Sequence, residues 1–302
     1  MIGILALSGC EKIIPLELPA QASKLVVNSI LNPDSLARVY VYQSQALLAP
    51  RGVAVINNAT VILSEDGQPV DSIPFDAPSN SYHSRHFYPK PEHSYQLSVS
   101  APGFEAASAS CQVPFAVPIL YAEAKDSAGI DEYGDYYAQL TVRFADPEGT
   151  KDFYGLVGTV PRVYRRWKPY QPGQPTQYDT LYTQSDVYLY SNVSQVEDTY
   201  DNGVVFKDEL FEGKMYDIAV NFYPVQKWNT NLPDSRPWQL TVLFKHMDAF
   251  YYEYSRKLNK HLNNRGGGLF AGEPVSVPSN IENGYGIFSA YSQSKVEIPL
   301  EE

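Results

Sequence analysis

The chain has 302 residues, enough for two ordinary domains, and its hydrophobic fraction of 44% excludes wholesale disorder. Its net charge is −11 and its basic residues are spread along the chain, which excludes nucleic acid and an anionic lipid surface as partners. After residue 9, no apolar run approaches the roughly 18 residues that a membrane-spanning helix needs. The 24 tyrosines favour a mainly β protein, because tyrosine is a strong strand former with a polar end.

The first ten residues form an apolar run that ends in Leu7-Ser8-Gly9-Cys10. Small residues before a cysteine are typical of a bacterial lipoprotein signal, which is cut before the cysteine after that residue receives its lipid. We therefore interpret residues 1–9 as the remnant of a signal peptide, Cys10 as the lipidation site, with palmitate-type acyl chains, and residues 10–23 as a lipidated tether. Several acyl chains, at roughly 0.8 kcal/mol per buried CH₂ group, hold such a protein to a membrane. The alternative is an ordinary cysteine in a buried N-terminal strand.

From residue 24 the sequence shows the alternation of polar and apolar residues that predicts strands. Residues 58–64 run into Glu65-Asp66-Gly67-Gln68, which is a hairpin signal. The segment Tyr95-Gln96-Leu97-Ser98-Val99 resembles the tyrosine-corner strand of immunoglobulin-like and fibronectin-like sandwiches. We predict a small immunoglobulin-like β-sandwich over residues 24–115.

A proline-punctuated segment, residues 113–118, is the predicted domain boundary. Beyond it we predict a larger β-sandwich over residues 118–302, with one amphipathic helix at about residues 247–263. Its predicted core-facing stripe recurs every four residues and consists of Phe250, Tyr254, Leu258 and Leu262. Packing of this stripe against the membrane surface or a partner is the alternative.

The C-terminal segment contains Asn283, Gly284 and Gly286, residues that tolerate positive φ and predict a tight turn. We expect this turn to lock the fold by inserting Ile281, Ile287 and Phe288 into the sandwich.

Motifs for catalysis or metal binding are weak in this sequence. His83 and His86 are three apart, and such residues on a strand point to opposite faces, so no metal site is expected there. The acidic loop at residues 126–135 does not have the spacing of an EF-hand, which favours a solvated turn and leaves Ca²⁺ binding open. We predict a protein that is not an enzyme and has no cofactor.

Aromatic residues flank a proline-rich loop at residues 168–175 and predict a surface for a partner or ligand, because tyrosine and tryptophan are strong anchors in interfaces. The predicted surface residues are Trp167, Tyr170, Tyr178, Tyr182 and Trp228. Ordinary sheet surface is the alternative.

Four segments place Asp before Ser or Thr and a small or aliphatic residue, which resembles the O-glycosylation sequon of exported Bacteroidetes proteins. The candidate O-glycosylation sites are Ser35, Ser72, Ser127 and Thr180. Chance occurrence in turns is the alternative.

Several segments together resemble a Bacteroidetes outer-membrane lipoprotein family catalogued as domain of unknown function 4249. The matching segments are residues 7–12, 24–28, 58–61, 252–258 and 279–289. The resemblance implies a lipid-anchored outer-membrane protein, often encoded beside a TonB-dependent transporter, and it supplies no catalytic residues. Which face of the outer membrane the protein occupies stays open.

We therefore expect a non-enzymatic lipoprotein that is accessory to a TonB-dependent transporter and binds either the barrel or its substrate. The alternative is a stand-alone structural or adhesive surface lipoprotein. A glycan or peptide hydrolase is the third hypothesis, with Asp131 and Asp135 as the residues to mutate.

Overall fold

The structure is a computed structural model, and it describes residues 22–45, 52, 54–169, 175–209, 211–224, 238–264 and 275–300. Among these residues, no helix is long and apolar enough to cross a membrane. The mainly β fold with one helix near the C-terminus is confirmed.

The described residues form eighteen strands, one 3₁₀ turn and one α-helix. In chain order they are β1 Leu25–Leu31, β2 Arg38–Gln43, β3 Thr60–Glu65, β4 Gln68–Ser72, β5 Phe75–Asp76, the 3₁₀ turn Ala77–Ser79, β6 Ser81–His83, β7 Ser94–Ser100, β8 Ala107–Gln112, β9 Tyr121–Ile130, β10 Tyr136–Ala145, β11 Phe153–Trp167, β12 Tyr178–Val187, β13 Leu189–Tyr190, β14 Glu197–Asp198, β15 Val204–Lys207, β16 Met215–Phe222, β17 Gln239–Met247, α1 Ala249–Asn263 and β18 Gly284–Pro299.

The strands form one ten-stranded sheet and two four-stranded sheets. The large sheet has the order β14-β15-β11-β17-β18-β1-β2-β6-β5, with β12 paired to β11, and the small sheets have the orders β13-β16-β10-β9 and β4-β3-β7-β8. Each small sheet shares a hydrophobic core with one half of the large sheet. The molecule therefore has two sandwich cores under one continuous sheet.

Strand β18 connects the two halves. Its first seven residues pair in parallel with β1, and its remaining nine pair antiparallel with β17. The N-terminal core consequently includes Ile281, Phe288 and Ala290, which are distant from it in sequence. The predicted N-terminal unit, residues 24–115, thus completes its core with C-terminal residues.

Local sequence explains the N-terminal strands well. In β7 the buried residues Tyr95, Leu97 and Val99 alternate with exposed polar ones, as a half-buried strand requires. The Tyr95 hydroxyl accepts a hydrogen bond from the Lys90 backbone N–H at 2.8 Å and donates one to Glu65 Oε1 at 2.6 Å. This contact with the upstream backbone is the geometry of a tyrosine corner.

The turn before β18 forms as predicted. Asn283 and Gly286 have φ of 56° and 117°, and Ile281 and Phe288 are buried in the N-terminal sandwich core. The prediction is wrong for Ile287, which is buried in a separate cluster with Tyr251 and Tyr252 of α1, because neighbouring residues of a strand point to opposite faces. A Cβ on Gly286 would lie 2.0 Å from the Val27 carbonyl oxygen, so β1 and β18 approach too closely there for any other residue.

The helix begins later than predicted, and its predicted core-facing stripe is correct only in part, because Phe250 and Tyr254 pack against the buried cluster around Tyr251 and Tyr252. Met247 ends β17, and Asp248 caps α1 by accepting the Tyr251 N–H at 2.7 Å. Tyr251, Tyr252 and Ser255 are the buried residues, whereas Leu262 is 40% exposed. With aromatic residues at four of the first five helical positions after Ala249, the apolar pattern did not determine which face would meet the sheet.

The predicted boundary segment is held against the C-terminal half by three side chains of the large sheet. Ser292 Oγ donates to the Pro114 carbonyl, His246 Nδ1 lies 2.8 Å from the Phe115 carbonyl, and Ser294 Oγ donates to the Val117 carbonyl at 2.7 Å. Residues 114–117 are therefore bound to the fold along their length.

Candidate interaction surface

A two-stranded ribbon extends β11 and β12 beyond the large sheet. Strand β11 pairs with β17 as far as Thr159, but its pairing with β12 continues to Trp167 opposite Tyr178. At about 3.3 Å per residue, the ribbon extends roughly 25 Å past the last β17 partner. We call residues 160–167 together with 178–185 the ribbon.

The register of the ribbon sorts its side chains into two faces, because residues directly opposite each other in an antiparallel pair share a face. Trp167 pairs with Tyr178 and Val163 with Tyr182, so three of the predicted surface aromatics share one face. Tyr164 pairs with Leu181 and lies on the other face. We call these the aromatic face and the cationic face.

The aromatic face is open to solvent. Trp167 is 59% exposed, Tyr182 46% and Tyr178 43%. The rings of Trp167 and Tyr178 meet edge to face with 5.3 Å between their centroids. Large rings with so much exposed area, held on a hydrogen-bonded ribbon, offer a preorganised contact surface.

The cationic face carries exposed basic side chains. The Arg162 guanidinium lies over the Tyr164 ring, 4.9 Å from its centroid. The Asp179 carboxylate lies 3.6 Å from the Arg166 guanidinium and 3.1 Å from Lys168 Nζ. The hydrogen bond from Lys168 lowers the pKa of the Asp179 carboxyl. The expectation that basic residues are spread along the chain is thus wrong for this segment, where Arg162, Arg166 and Lys168 lie within seven consecutive residues.

The ribbon lies at the opposite end of the fold from the start of β1. Leu25 pairs with Gly284 at the start of β18, whereas Thr159 aligns through Thr241 with Glu297 near its end. Strand β18 has 16 residues, which corresponds to roughly 50 Å. The ribbon therefore points away from the end at which residues 10–23 join the fold.

The remaining predicted site residues have different outcomes. Cys10, Tyr170 and Trp228 lie outside the described residues. All four candidate O-glycosylation sites are exposed; Thr180 lies on β12, and Ser127 lies on β9 with a φ of 52°. Ser127 was expected in a loop, but the strand continues through it with an irregular register.

The acidic loop forms a turn that its own backbone stabilises. Asp131 Oδ1 accepts hydrogen bonds from the N–H groups of Tyr133 and Asp135, both at 2.9 Å. The hydrogen bond from Asp135 is the main cause that lowers the pKa of Asp131. The geometry agrees with a solvated acidic turn.

Sequence reasoning missed a buried acidic cluster in the second half of the fold, at the end of β11 that lies away from the ribbon. The carboxylates of Asp146, Asp152 and Asp208 lie within 4.8 Å of one another, and all three residues are buried. In the described part of the chain, no other three acidic or metal-ligating side chains come this close. Asp146 and Asp152 are the residues around a turn before β11, a position that no motif marks.

Protein groups donate to each carboxylate of this cluster. Asp146 accepts from the Tyr154 hydroxyl and, at 2.8 Å, from the Gly213 N–H. Asp208 accepts from the Asp152 N–H at 2.7 Å. Burial raises the pKa of Asp146, so this carboxyl holds its proton more tightly than an exposed one. The cluster acts as an internal bridge between the β10–β11 turn and the segment after β15.

His246 connects this cluster to the boundary segment. Its Nδ1 faces the Phe115 carbonyl and its Nε2 lies 2.8 Å from Asp152 Oδ1, so both ring nitrogens face acceptors. The ring therefore links Asp152 to the backbone of the boundary segment through hydrogen bonds in the protein interior. Burial acts to raise the pKa of Asp152, but hydrogen bonds from His246 and Thr150 outweigh it and the pKa is lowered.

The fold and the surface define a mainly β protein with two cores under a shared sheet and an exposed aromatic ribbon. The chain belongs to the family described as Domain of unknown function (DUF4249), whose model matches residues 11–297. The predicted membership of domain of unknown function 4249 is thereby confirmed. No curated protein matches the chain.

Proposed function

We propose that this chain is a non-enzymatic outer-membrane lipoprotein that assists a TonB-dependent transporter by binding the barrel or its substrate. The observation that carries the proposal is the aromatic face of the ribbon, with Trp167, Tyr178 and Tyr182 exposed on one side. Aromatic side chains of this kind supply most of the binding energy in protein interfaces.

The position of the ribbon supports a binding role. A chain held to a membrane through Cys10 would carry the ribbon at the end of the fold away from residues 10–23. A partner that rises from the same membrane, such as the loops of a barrel, can then be contacted without competition from the lipid surface. Cys10 as the lipid anchor, and the four Asp-Ser/Thr sites as O-glycosylation sites, belong to the same proposal.

The buried Asp–His pair offers little support for a hydrolase. His246 and Asp152 are both buried, and their hydrogen bonds are made to the protein itself. Asp131 and Asp135, the residues of the hydrolase hypothesis, belong to a self-bonded turn. The pair and the turn both have a structural explanation.

The first experiment is purification of the full-length, acylated protein from its native outer membrane, followed by mass spectrometry. We expect a stoichiometric TonB-dependent barrel with the wild type, none with Trp167→Ser/Tyr178→Ser, and acylated Cys10 at the N-terminus. The matched control is Tyr88→Ser/Tyr285→Ser, which removes two exposed tyrosines on the N-terminal half. Recovery of the acylated protein alone would contradict the accessory role and favour the structural or adhesive alternative.

A further inference from the structure

We propose that the cationic face of the ribbon binds the carboxylates of an acidic protein surface. This inference rests on the proposed function, because it names the chemistry of the partner that the ribbon contacts. Residues 160–185 contain one acidic residue, Asp179, and four basic residues, whereas the whole chain has a net charge of −11. Three of the basic residues, Arg162, Arg166 and Lys168, alternate in register with the cationic face, and Arg165 pairs with Thr180 in the register of the aromatic face. The ribbon is thus a local positive element on an acidic protein.

The contacts of Arg162, Arg166 and Lys168 leave positive charge available. Arg166 and Lys168 share the single carboxylate of Asp179, and the Arg166 side chain is 69% exposed. Arg162 contacts neutral groups, the Tyr164 ring and, at 3.3 Å, Ser185 Oγ. In the described part of the chain, no carboxylate forms an ion pair with Arg162.

The type and position of these groups favour a protein over a lipid surface. Arginine beside tyrosine is the composition of interface hot spots, and the guanidinium matches a carboxylate in a two-bond geometry. The ribbon points away from the attachment end of the fold by the length of β18. The acidic body repels an acidic partner while the ribbon attracts it, so the field of the chain itself orients the encounter.

The test uses the purified full chain and a fluorescent 16-residue peptide of alternating Glu and Thr, with a Gln/Thr peptide as its neutral counterpart. The variant is Arg162→Glu/Arg166→Glu, and the control is Lys125→Glu/Lys151→Glu, which makes the same change in net charge at two exposed lysines elsewhere. We expect the acidic peptide to bind the wild type and the control equally well. Its affinity for the variant should be at least tenfold lower. Binding should also weaken at least tenfold between 50 and 500 mM salt, because screening shortens the reach of exposed charges.

Absence of acidic-peptide binding to the wild type, or equal binding to the Arg162→Glu/Arg166→Glu variant, would overturn the proposal. A second result would also overturn it: the wild type floats with phosphatidylglycerol vesicles at 0.15 M salt, the variant does not, and neither binds the peptide. This result would identify a membrane surface as the partner instead. The milder Arg162→Gln/Arg166→Gln variant serves if the charge reversal fails to fold.

The two proposals fail separately. In one outcome, peptide binding depends on Arg162 and Arg166 but no barrel is found in the membrane purification. This outcome contradicts the transporter role and supports the carboxylate site. In the other outcome, recovery of the barrel depends on Trp167 and Tyr178 but is normal with Arg162→Glu/Arg166→Glu. This outcome supports the transporter role and contradicts the carboxylate site.

Discussion

At the scale of single residues, the buried pair of His246 and Asp152 has the clearest energetic consequence. A buried carboxylate hydrogen-bonded to a buried histidine is expensive to break, because the partner that remains is left unsatisfied away from water. The pair also links two distant segments, since His246 reaches the Phe115 carbonyl on its other side. We therefore expect it to stabilise the connection between the halves as well as the second core.

We predict that Asp152→Asn lowers the free energy of unfolding at pH 7 by about 3 kcal/mol. The folded-state pKa of Asp152 is lowered, so its stabilisation is present above the unfolded pKa of about 4 and is lost as the pH falls through the folded pKa. The difference between wild type and variant in urea unfolding should therefore shrink below about pH 4.

The control for this prediction is Asp217→Asn. Asp217 also has a lowered pKa, from its hydrogen bond with Arg143, but the pair is exposed to solvent. Screened surface pairs contribute little, so Asp217→Asn should unfold close to the wild type at every pH. Equal losses in the two variants would contradict the argument from burial.

Gly286 is the second residue with a sharp prediction. Gly286→Ala would place a Cβ 2.0 Å from the Val27 carbonyl oxygen at a φ of 117°. Strain and collision together should cost about 3 kcal/mol or more in thermal or urea unfolding. Gly103→Ala is the matched control, because its φ is 83° and nothing lies within 4 Å of the added Cβ. A variant of Gly286 as stable as the variant of Gly103 would show that β1 and β18 separate easily.

At the scale of elements, the ribbon is separable from the sheet that carries it. Its residues beyond Thr159 pair only within the ribbon in the described structure. Replacement of residues 165–180 by Asn-Gly joins Tyr164 to Leu181, a directly opposed pair that a two-residue turn can close.

We predict that this shortened protein keeps its far-UV circular dichroism and loses no more than about 1 kcal/mol of stability, because none of the removed residues whose burial is described is buried. It should lose the partner in the membrane purification. A loss of several kcal/mol would mean that the ribbon supports the core, and binding data from ribbon variants would then need a folding control.

The sequence indicated the composition of the ribbon but not its shape. Aromatic and proline residues at 164–182 predicted an exposed loop, and most of the named aromatics are indeed exposed. The two faces depend on the register that pairs Trp167 with Tyr178 and Tyr164 with Leu181. Register is fixed by pairing across the turn, and the sequence of either strand alone does not contain it.

At the scale of the whole molecule, the shared sheet couples the two cores. Strand β1 begins the N-terminal half, yet it pairs with the first part of β18, and β17 continues the same sheet into the second half. Loss of packing in one core should therefore be transmitted through β18 to the other.

Phe288→Ala tests this coupling. Phe288 is fully buried in the N-terminal core, and we expect the truncation to cost about 3 to 5 kcal/mol. All three tryptophans lie after residue 116, so their fluorescence reports on the second half. We predict that the tryptophan-detected urea midpoint moves together with the circular dichroism midpoint. A tryptophan transition that stays at the wild-type midpoint would show two independent folding units.

The sequence by itself determined the mainly β class, the corner at Tyr95, the turn around Gly286 and the exposed aromatics, because alternation, turn chemistry and solubility are local properties. Only the tertiary structure decided that β18 spans both halves, that Tyr251 and Tyr252 are the buried face of α1, and that the ribbon has two faces. These features, with the cluster of Asp146, Asp152 and Asp208, bring together residues far apart in the chain. Such contacts arise from sheet pairing and packing, which no local pattern encodes.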